Sequence, residues 1–332
     1  MLKKSNLKLV IIFSILLIFW GKDKFYDQSR VNYQKVESLI IKTKKRKVSL
    51  ETLIELGFFE YDKGRKILSF IKDETSFSKC DGSYNGFPAQ KDEAHEVIKG
   101  KDLFPDYTTE INNSKKTLSS ILPRIEKSQH TYLLSYLNIE AAELNLASHY
   151  EQGELSNRLM IKTLNSASSM YQLDNEMSSL FKRNQLHPSY LAYCRNEKDF
   201  KGHEFQFYKF PISYHLRKVK PGEKLKRKDL FKLPISDYFL DPLTLFAIIP
   251  HLPVLKKQIY IYPIMIKDKN YLGFIKFNLQ EKFIRFTVSL VSISSIAEPF
   301  SLELFVENNE KRRLNTFVVD LPLGRLEANI LK

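Results

Sequence analysis

The sequence contains little glycine and very little cysteine, and both scarcities exclude classes of protein. Only 11 of its 332 residues are glycine, which argues against a glycine-rich phosphate loop and against a solenoid of repeats. The two cysteines, Cys80 and Cys194, are far apart and occur in no metal-binding or redox spacing. In an oxidising compartment they pair; otherwise they are two unrelated thiols. We expect unrelated thiols, because pairing requires a specific geometry.

Motifs of enzymatic and metal chemistry are also missing. The seven histidines include no pair at helical ligand spacing, and His95 lacks the second histidine of a zinc-protease helix. No Gly-x-Ser-x-Gly elbow supplies a nucleophile. Glu307 and Glu310 are paired carboxylates of the kind used in acid–base catalysis, but the three basic residues after them indicate a charged, solvated turn. We therefore predict no catalytic residue, no metal site and no cofactor.

The chain is basic, with a formal net charge of +14. Such a charge indicates an anionic partner or a solvated basic surface, and we favour the solvated surface. No basic cluster is interleaved with aromatic residues, so we expect no nucleic-acid partner. A hydrophobic content of 43% is that of a folded protein.

The amino-terminal residues have the pattern of an export signal. Basic residues Lys3, Lys4 and Lys8 precede an apolar run over residues 9–20. The run is short for a membrane span, which requires about 17–25 residues, yet no good cleavage site follows it. We predict that residues 1–21 form an uncleaved inner-membrane anchor, with a cleaved signal peptide as the alternative. Either one places the remaining chain in the periplasm.

Residues 22–130 are harder to interpret. A polar, basic linker ends in the run 42–47, and Ser49 is placed to cap a helix over residues 50–59. Short apolar pieces among charged residues follow. We predict a linker and a small helical or irregular subdomain.

One stretch, residues 241–250, predicts a short helix with both ends specified. Asp241 is a good N-cap and Pro242 suits the first helical position. Pro250 ends the helix by pushing Ile249 out of the helical region. Only Thr244 is polar between the two prolines, and a helix that is apolar nearly all round is buried.

Period-two alternation on both sides of this stretch predicts β-strands. Turn residues separate the segments, and no helical pattern intervenes, which is typical of an antiparallel meander. On propensity alone, residues 132–149 and 155–183 are instead predicted to be helical. The alternating segments are Phe205/Phe207, Ile212/Tyr214/Leu216, and residues 259–266, 271–277, 284–290, 302–306, 314–318 and 326–330.

Several short motifs follow one another through the carboxy-terminal part of the chain. They are Asp241-Pro-Leu-Thr-Leu245, Glu307-Asn-Asn-Glu-Lys-Arg-Arg313 and Leu321-Pro-Leu-Gly324, preceded in order by Leu134-Ser-Tyr136, Ala142-Glu-Leu144, Tyr171-Gln-Leu-Asp-Asn-Glu176 and Leu186-His-Pro188. Together they resemble the bacterial envelope proteins of domain-of-unknown-function family 3108, over about residues 131–331. The chain departs from the family at Ala141-Ala142, where a glycine is common, and at Phe305-Val306, where a strand end with Trp is usual.

The resemblance implies a curved antiparallel half-barrel wrapped round one short helix, similar to periplasmic lipoprotein carriers. It therefore implies strands over residues 131–182, and we prefer it to the helical propensity because β structure depends heavily on context. Residues 131–332 are predicted to be this mainly β domain. The family supplies no catalytic residues.

Such a half-barrel predicts an apolar cavity or a filled core beneath the helix. The functional expectation is a non-enzymatic module that binds a lipid or a lipidated protein. If the helix fills the barrel, the expectation is a scaffold that docks another envelope protein. An envelope glycan or lipid hydrolase is the weakest alternative. The predicted lining residues are Leu245, Phe246, Ile249, Phe274, Phe286, Leu290 and Leu304.

Overall fold

The structure is a computed structural model. It describes residues 54–55, 59–62, 65, 67–70, 83–85, 107–168, 172–197, 200–210, 212–219, 230–235, 238–255, 258–266, 269–292, 300–321 and 324–331. The predicted anchor over residues 1–21 and the basic linker lie outside these ranges. Among the residues described, no helix is both long enough and apolar enough to cross a membrane.

A small antiparallel sheet precedes the main domain. It consists of β1 (Phe59–Asp62), β2 (Ile67–Phe70) and β3 (Ser83–Asn85), in that order. The prediction of a helical or irregular region is therefore wrong for these segments, and Phe59 begins a strand instead of ending a helix. Aromatic and β-branched residues, which favour strands, form much of β1 and β2. Residues 54–55, inside the helix predicted over residues 50–59, are helical, and Ser49 lies outside the described residues.

The main domain is one antiparallel sheet of 14 strands, and this confirms the mainly β prediction. Each strand pairs with its neighbours in sequence, except that β11 and β12 do not pair with each other; the first strand, β4, also pairs with the last, β17. The sheet is therefore open between β11 and β12. The strands are β4 (Ser128–Tyr136), β5 (Ile139–Glu151), β6 (Glu154–Thr163), β7 (Asp174–Lys182), β8 (His187–Glu197), β9 (Phe200–Lys209), β10 (Ile212–Val219), β11 (Leu230–Pro234), β12 (Tyr260–Ile266), β13 (Lys269–Leu279), β14 (Phe283–Ser292), β15 (Phe300–Glu307), β16 (Leu314–Leu321) and β17 (Gly324–Ile330).

Strands β4 to β7 occupy the region where propensity predicted helices. The helical prediction is wrong there, and the strands implied by the family resemblance are present. Two tight turns explain the outcome. Leu137 and Asn138 have φ angles of 51° and 63°, and Gln152 and Gly153 have 49° and 88°. Paired positive φ angles at two-residue turns match the twist of a hairpin, so pairing overrides local propensity.

Among the residues from 107 onward that the structure describes, three helices accompany the sheet: α1 (Thr108–Ile121), α2 (Asn165–Ser168) and α3 (Pro242–Ile248). A single 3-10 turn follows α1 at Leu122–Arg124, and another follows α3 at Ile249–His251. Helix α3 lies where the sequence predicted the apolar helix, and it contacts β6, β7 and β12. We call the face of the sheet toward α3 the inner face.

The β12 edge of the sheet is protected against further strand pairing. The Ile261 N–H donates to the Ser114 hydroxyl of α1 over 2.9 Å. Pro263 has no N–H, and the Met265 N–H donates to the Leu240 carbonyl over 2.9 Å. The backbone amide positions of Ile261, Pro263 and Met265 face away from β13. Each of them is either hydrogen-bonded already or, at Pro263, has no N–H to donate to another strand.

The chain between β11 and α3 connects the two sides of the opening. Leu240 forms a parallel bridge with Ile264 of β12. Beside it, the Phe239 ring stacks on His187 of β8 at 5.8 Å and meets the Tyr208 ring edge-on at 5.0 Å. This segment therefore fixes the position at which α3 enters the inner face.

The inner face changes character along the sheet. It is apolar from β12 to β17, where Phe286, Leu304 and Phe317 join the buried core. In β9, Gln206 shares the inner face with Tyr208, while Phe207 points to the other face and is also buried. The alternation predicted for this strand is present, but its apolar side is turned away from α3.

Candidate functional site

Helix α3 begins as its first residues predict. One carboxylate oxygen of Asp241 accepts the backbone N–H groups of Leu243 and Thr244, over 2.9 and 3.0 Å. The other oxygen accepts the Thr244 hydroxyl over 2.5 Å. All seven residues of α3 are buried. The cap therefore satisfies the donors of a helix start that water cannot reach.

A chain of buried polar side chains joins α3 to the wall of the sheet. The Asn157 amide of β6 donates to the Thr244 hydroxyl over 3.2 Å and to Ser179 of β7 over 3.3 Å. Its carbonyl oxygen accepts the Ser148 hydroxyl of β5 over 2.9 Å. Sequence analysis missed this network. The available signal was the polar residues at the inward positions of three successive strands.

Burial raises the pKa of Asp241, and hydrogen bonds from Thr244, Ser179 and Leu243 oppose that rise. The carboxyl group is fully buried, and desolvation disfavours its charged form. The nearby Tyr208 hydroxyl is also buried, and desolvation raises its pKa well above the usual value, with the Asp241 charge adding to the effect. The hydrogen bonds that Asp241 accepts from Leu243 and Thr244 stabilise the start of the helix.

Six of the seven predicted lining residues lie in one continuous buried core. This core also contains α3, and the Phe246 ring meets Phe317 of β16 edge-on at 5.2 Å. Phe274 is the exception. It points to the opposite face of β13 and contacts Tyr107 edge-on at 5.4 Å. The six that the structure brings together are Leu245, Phe246, Ile249, Phe286, Leu290 and Leu304.

A second polar cluster lies on the inner face of β7 and β8. Glu197 accepts two hydrogen bonds from Arg195, each 2.7 Å long, and one from Asn175 over 3.1 Å. The Asn175 amide also donates to the Tyr193 hydroxyl over 2.9 Å. Burial raises the pKa of Tyr193. The cluster is a hydrogen-bonded ion pair in the wall, which is the usual way for a buried charge to be tolerated.

The turn between β15 and β16 holds the carboxylates considered for acid–base chemistry. Glu307 accepts the Arg313 guanidinium over 2.8 Å and the Asn309 amide over 3.1 Å. The hydrogen bond from Arg313 is the main cause that lowers the pKa of Glu307. Glu310 is exposed. A carboxylate held in its ionised form by an arginine closes the turn and is poorly suited to donate a proton.

The same turn reaches the end of α3. Arg312, whose φ is 46°, donates to the Leu252 carbonyl over 2.8 Å. The contact ties the β15–β16 turn to the 3-10 turn that follows the helix. Helix α3 is therefore held at its start by Asp241 and near its end by Arg312.

The outer face of β4 to β8 carries a separate concavity, which we call the outer groove. Its volume is about 260 Å³. Three small residues of adjacent strands form its floor: Ala147, Ser156 and Ser178. Longer side chains flank them, so the depression results from side-chain size and not from a break in the sheet. The flanking residues are Gln129, His149, Arg158, Leu180 and Tyr190.

Cys194 of β8 is disulfide-bonded. The expectation of two unrelated thiols is therefore wrong for this residue. The only other cysteine of the sequence, Cys80, lies outside the described residues. Within the described ranges, no three His, Cys, Asp or Glu side chains come together in a group that would hold a metal ion.

Comparison with known proteins does not establish a family for this chain. No family model matches the chain, so membership of family 3108 is not shown, and no curated protein matches. Among solved structures, the chain is similar to a beta-barrel-like protein of domain of unknown function DUF1849 from Brucella abortus. The TM-score is 0.44 at 7% sequence identity, over 63% of this chain and 97% of that one. The strand order by itself shows an open, barrel-like β domain, and it does not indicate a function.

Proposed function

We propose that the protein is an exported, non-enzymatic scaffold of the cell envelope, whose interior is solid and whose outer surface docks another envelope component. The observation that carries this proposal is the complete burial of α3 within the core of the half-barrel. The resemblance to family 3108 agrees with an envelope role, and membership of that family is part of the proposal.

The energy of helix packing favours a scaffold over a carrier. A buried Leu, Ile or Phe side chain contributes roughly 1.5–3 kcal/mol. Helix α3 and the turn after it bury five such side chains, Leu243, Leu245, Phe246, Ile248 and Ile249. Removing them from the core costs on the order of 10 kcal/mol, which is comparable to the whole stability of a domain. A lipid that entered the interior would have to displace this helix.

The carrier remains the alternative, in which the six clustered residues contact a lipid or a lipidated protein. Docking by strand addition is disfavoured at β12, because Ser114, Pro263 and Leu240 already occupy or remove its outward groups. A hydrolase lacks support, since the buried carboxylates described above are held in structural networks.

Export is supported by two independent features. Residues 1–21 have the pattern of a signal or anchor, and Cys194 is in a disulfide, a bond that persists in oxidising compartments such as the periplasm. We propose a periplasmic protein held at the inner membrane by residues 1–21. The alternative is release after cleavage, and the intact mass of the isolated protein distinguishes the two.

Native mass spectrometry tests the solid interior. The full chain, expressed with its own amino-terminal segment and isolated from the envelope, is measured before and after organic extraction. The scaffold predicts one mass, unchanged by extraction. An additional lipid mass that extraction removes, and that Phe246→Ala reduces while Phe210→Ala does not, would contradict the scaffold and favour the carrier.

A further inference from the structure

The side chains around the outer groove both donate and accept hydrogen bonds. Gln129 contributes an amide, His149 an imidazole, Ser156 a hydroxyl and Arg158 a guanidinium. Tyr190, which is 8% exposed, closes one side. Donors and acceptors at close spacing beside one ring suit a small ligand that is itself both donor and acceptor.

Two charged side chains of the groove, Arg158 and Glu154, form ion pairs with other protein residues, while Lys127 is a further cation in its lining. The Arg158 guanidinium donates to Glu176 over 2.7 Å, and Glu176 is almost completely buried. At the rim, Glu154 pairs with Lys182 over 3.0 Å. Because the guanidinium is already neutralised and held in place, the groove offers directed hydrogen bonds and not a strong electrostatic field.

The floor contains a hydroxyl that lacks a partner among the described residues. Ser178 is 3% exposed, and its Oγ has no hydrogen-bond partner in that part of the chain. A buried hydroxyl without a partner is destabilising, so a partner supplied from the groove improves its environment.

We infer that the outer groove binds one ring of a neutral saccharide. Sugar hydroxyls donate and accept hydrogen bonds as these side chains require. The groove volume of about 260 Å³ accommodates a single sugar ring. It lies just below the roughly 300–1,000 Å³ of typical ligand pockets, which indicates a small ligand. The inference deepens the proposed function, on which it rests, by naming a glycan as the component docked on the outer surface.

The test is saturation-transfer NMR on the full chain with three soluble probes: methyl glucoside, N-acetylglucosamine and glucuronic acid. We expect transfer to the ring protons of at least one neutral sugar. Ser156→Leu fills the floor from an exposed strand position and is expected to weaken binding at least tenfold. Thr287→Leu places the same side chain on the outer side of β14, away from the groove, and is expected to leave binding unchanged.

Ser178→Ala provides a second variant that keeps the shape of the groove, and we expect it to weaken binding several-fold without loss of folding. Absence of transfer from both neutral sugars, or equal transfer in wild type and Ser156→Leu, overturns the assignment. Binding of glucuronic acid alone overturns the neutral class. None of these NMR results changes the protein mass that native mass spectrometry is expected to give for a solid interior. The saccharide site and the solid interior can therefore be contradicted independently of each other.

Discussion

Asn157 donates a hydrogen bond to Thr244 over 3.2 Å, and this contact joins the wall of the sheet to the helix that fills it. The same amide bonds Ser179, and its carbonyl oxygen accepts from Ser148. One side chain of β6 therefore links three strands to α3. Loss of this side chain removes the acceptor of the buried Ser148 hydroxyl. It also removes one bond each from Ser179 and Thr244, which keep their bonds to Asp241. An unsatisfied buried hydroxyl is costlier than the loss of a single surface hydrogen bond.

We predict that Asn157→Ala destabilises the fold by about 2–3 kcal/mol, because its buried partners lose the hydrogen bonds that they form with Asn157. Urea unfolding followed by far-UV circular dichroism measures the effect. Asn145→Ala is the matched control, since its half-buried amide donates to Thr131 on the outer side, away from α3. A loss for Asn157→Ala no larger than that of the control would contradict the anchoring role.

Asp241 is predicted to make stability depend on pH in an unusual direction. Burial raises its folded-state pKa above 3.8, the value of the unfolded chain. The folded state therefore holds the proton more tightly, and the contribution of this group to stability falls as pH rises from 3.8 through the raised pKa.

Asp241→Asn keeps an acceptor for the N–H groups of Leu243 and Thr244 and removes the charge. We expect its stability relative to wild type to increase with pH over that range. Asp241→Ala removes the cap and is expected to cost about 2–3 kcal/mol. Chemical denaturation between pH 4 and 8 measures both variants. A constant difference between wild type and Asp241→Asn would show that the carboxyl group is not perturbed.

Phe246 is predicted to behave as a core residue and not as a ligand contact. Phe246→Ala leaves a cavity beside Phe317 and is expected to cost about 3–5 kcal/mol. Phe210→Ala, at a turn where the ring is 43% exposed, is the matched control and is expected to change stability by less than about 1 kcal/mol. Equal stability of the two variants would indicate an interior that is not packed around α3.

Glu307 is predicted to stabilise the β15–β16 turn only while it is ionised. The Arg313 guanidinium lowers its folded-state pKa below 4.5. Its contribution is therefore present above pH 4.5 and lost as pH falls through the lowered pKa. Glu307→Gln should remove this acid sensitivity, as measured by thermal unfolding from pH 6 to 3. Glu310→Gln, at an exposed position of the same turn, should retain it.

The parts of the fold that depend on local sequence were predictable. Asp241 and Pro242 specify the start of α3 by themselves, through a cap and a fixed φ. The predicted end was wrong in its mechanism: Ile249 keeps helical φ and ψ angles of −54° and −43°, and the chain continues through Pro250 as a 3-10 turn. Period-two alternation identified β9, β10 and the strands after α3. Family resemblance, and not propensity, was needed for β4 to β7, because Leu, Ala and Glu favour helices and the strand pairing that opposes them is not local.

The composition of the site was less predictable. Residues 271–275 are apolar on both alternate faces, so periodicity does not reveal that Phe274 points away from α3 while Ile275 joins the core. The network of Ser148, Asn157 and Ser179 lies on three strands, and only their pairing brings the residues together. The outer groove depends on small side chains that become adjacent in the same way.

Hydrogen exchange of the α3 backbone amides, measured by mass spectrometry on the folded full chain, tests the solid interior most directly. A helix that fills the core exchanges only when the whole domain unfolds. We predict protection of residues 243–249 equal to that of β6 and β7, with no change when a fatty acid is added. Exchange of α3 within seconds while β6 remains protected, or new protection on addition of the fatty acid, would contradict a filled half-barrel.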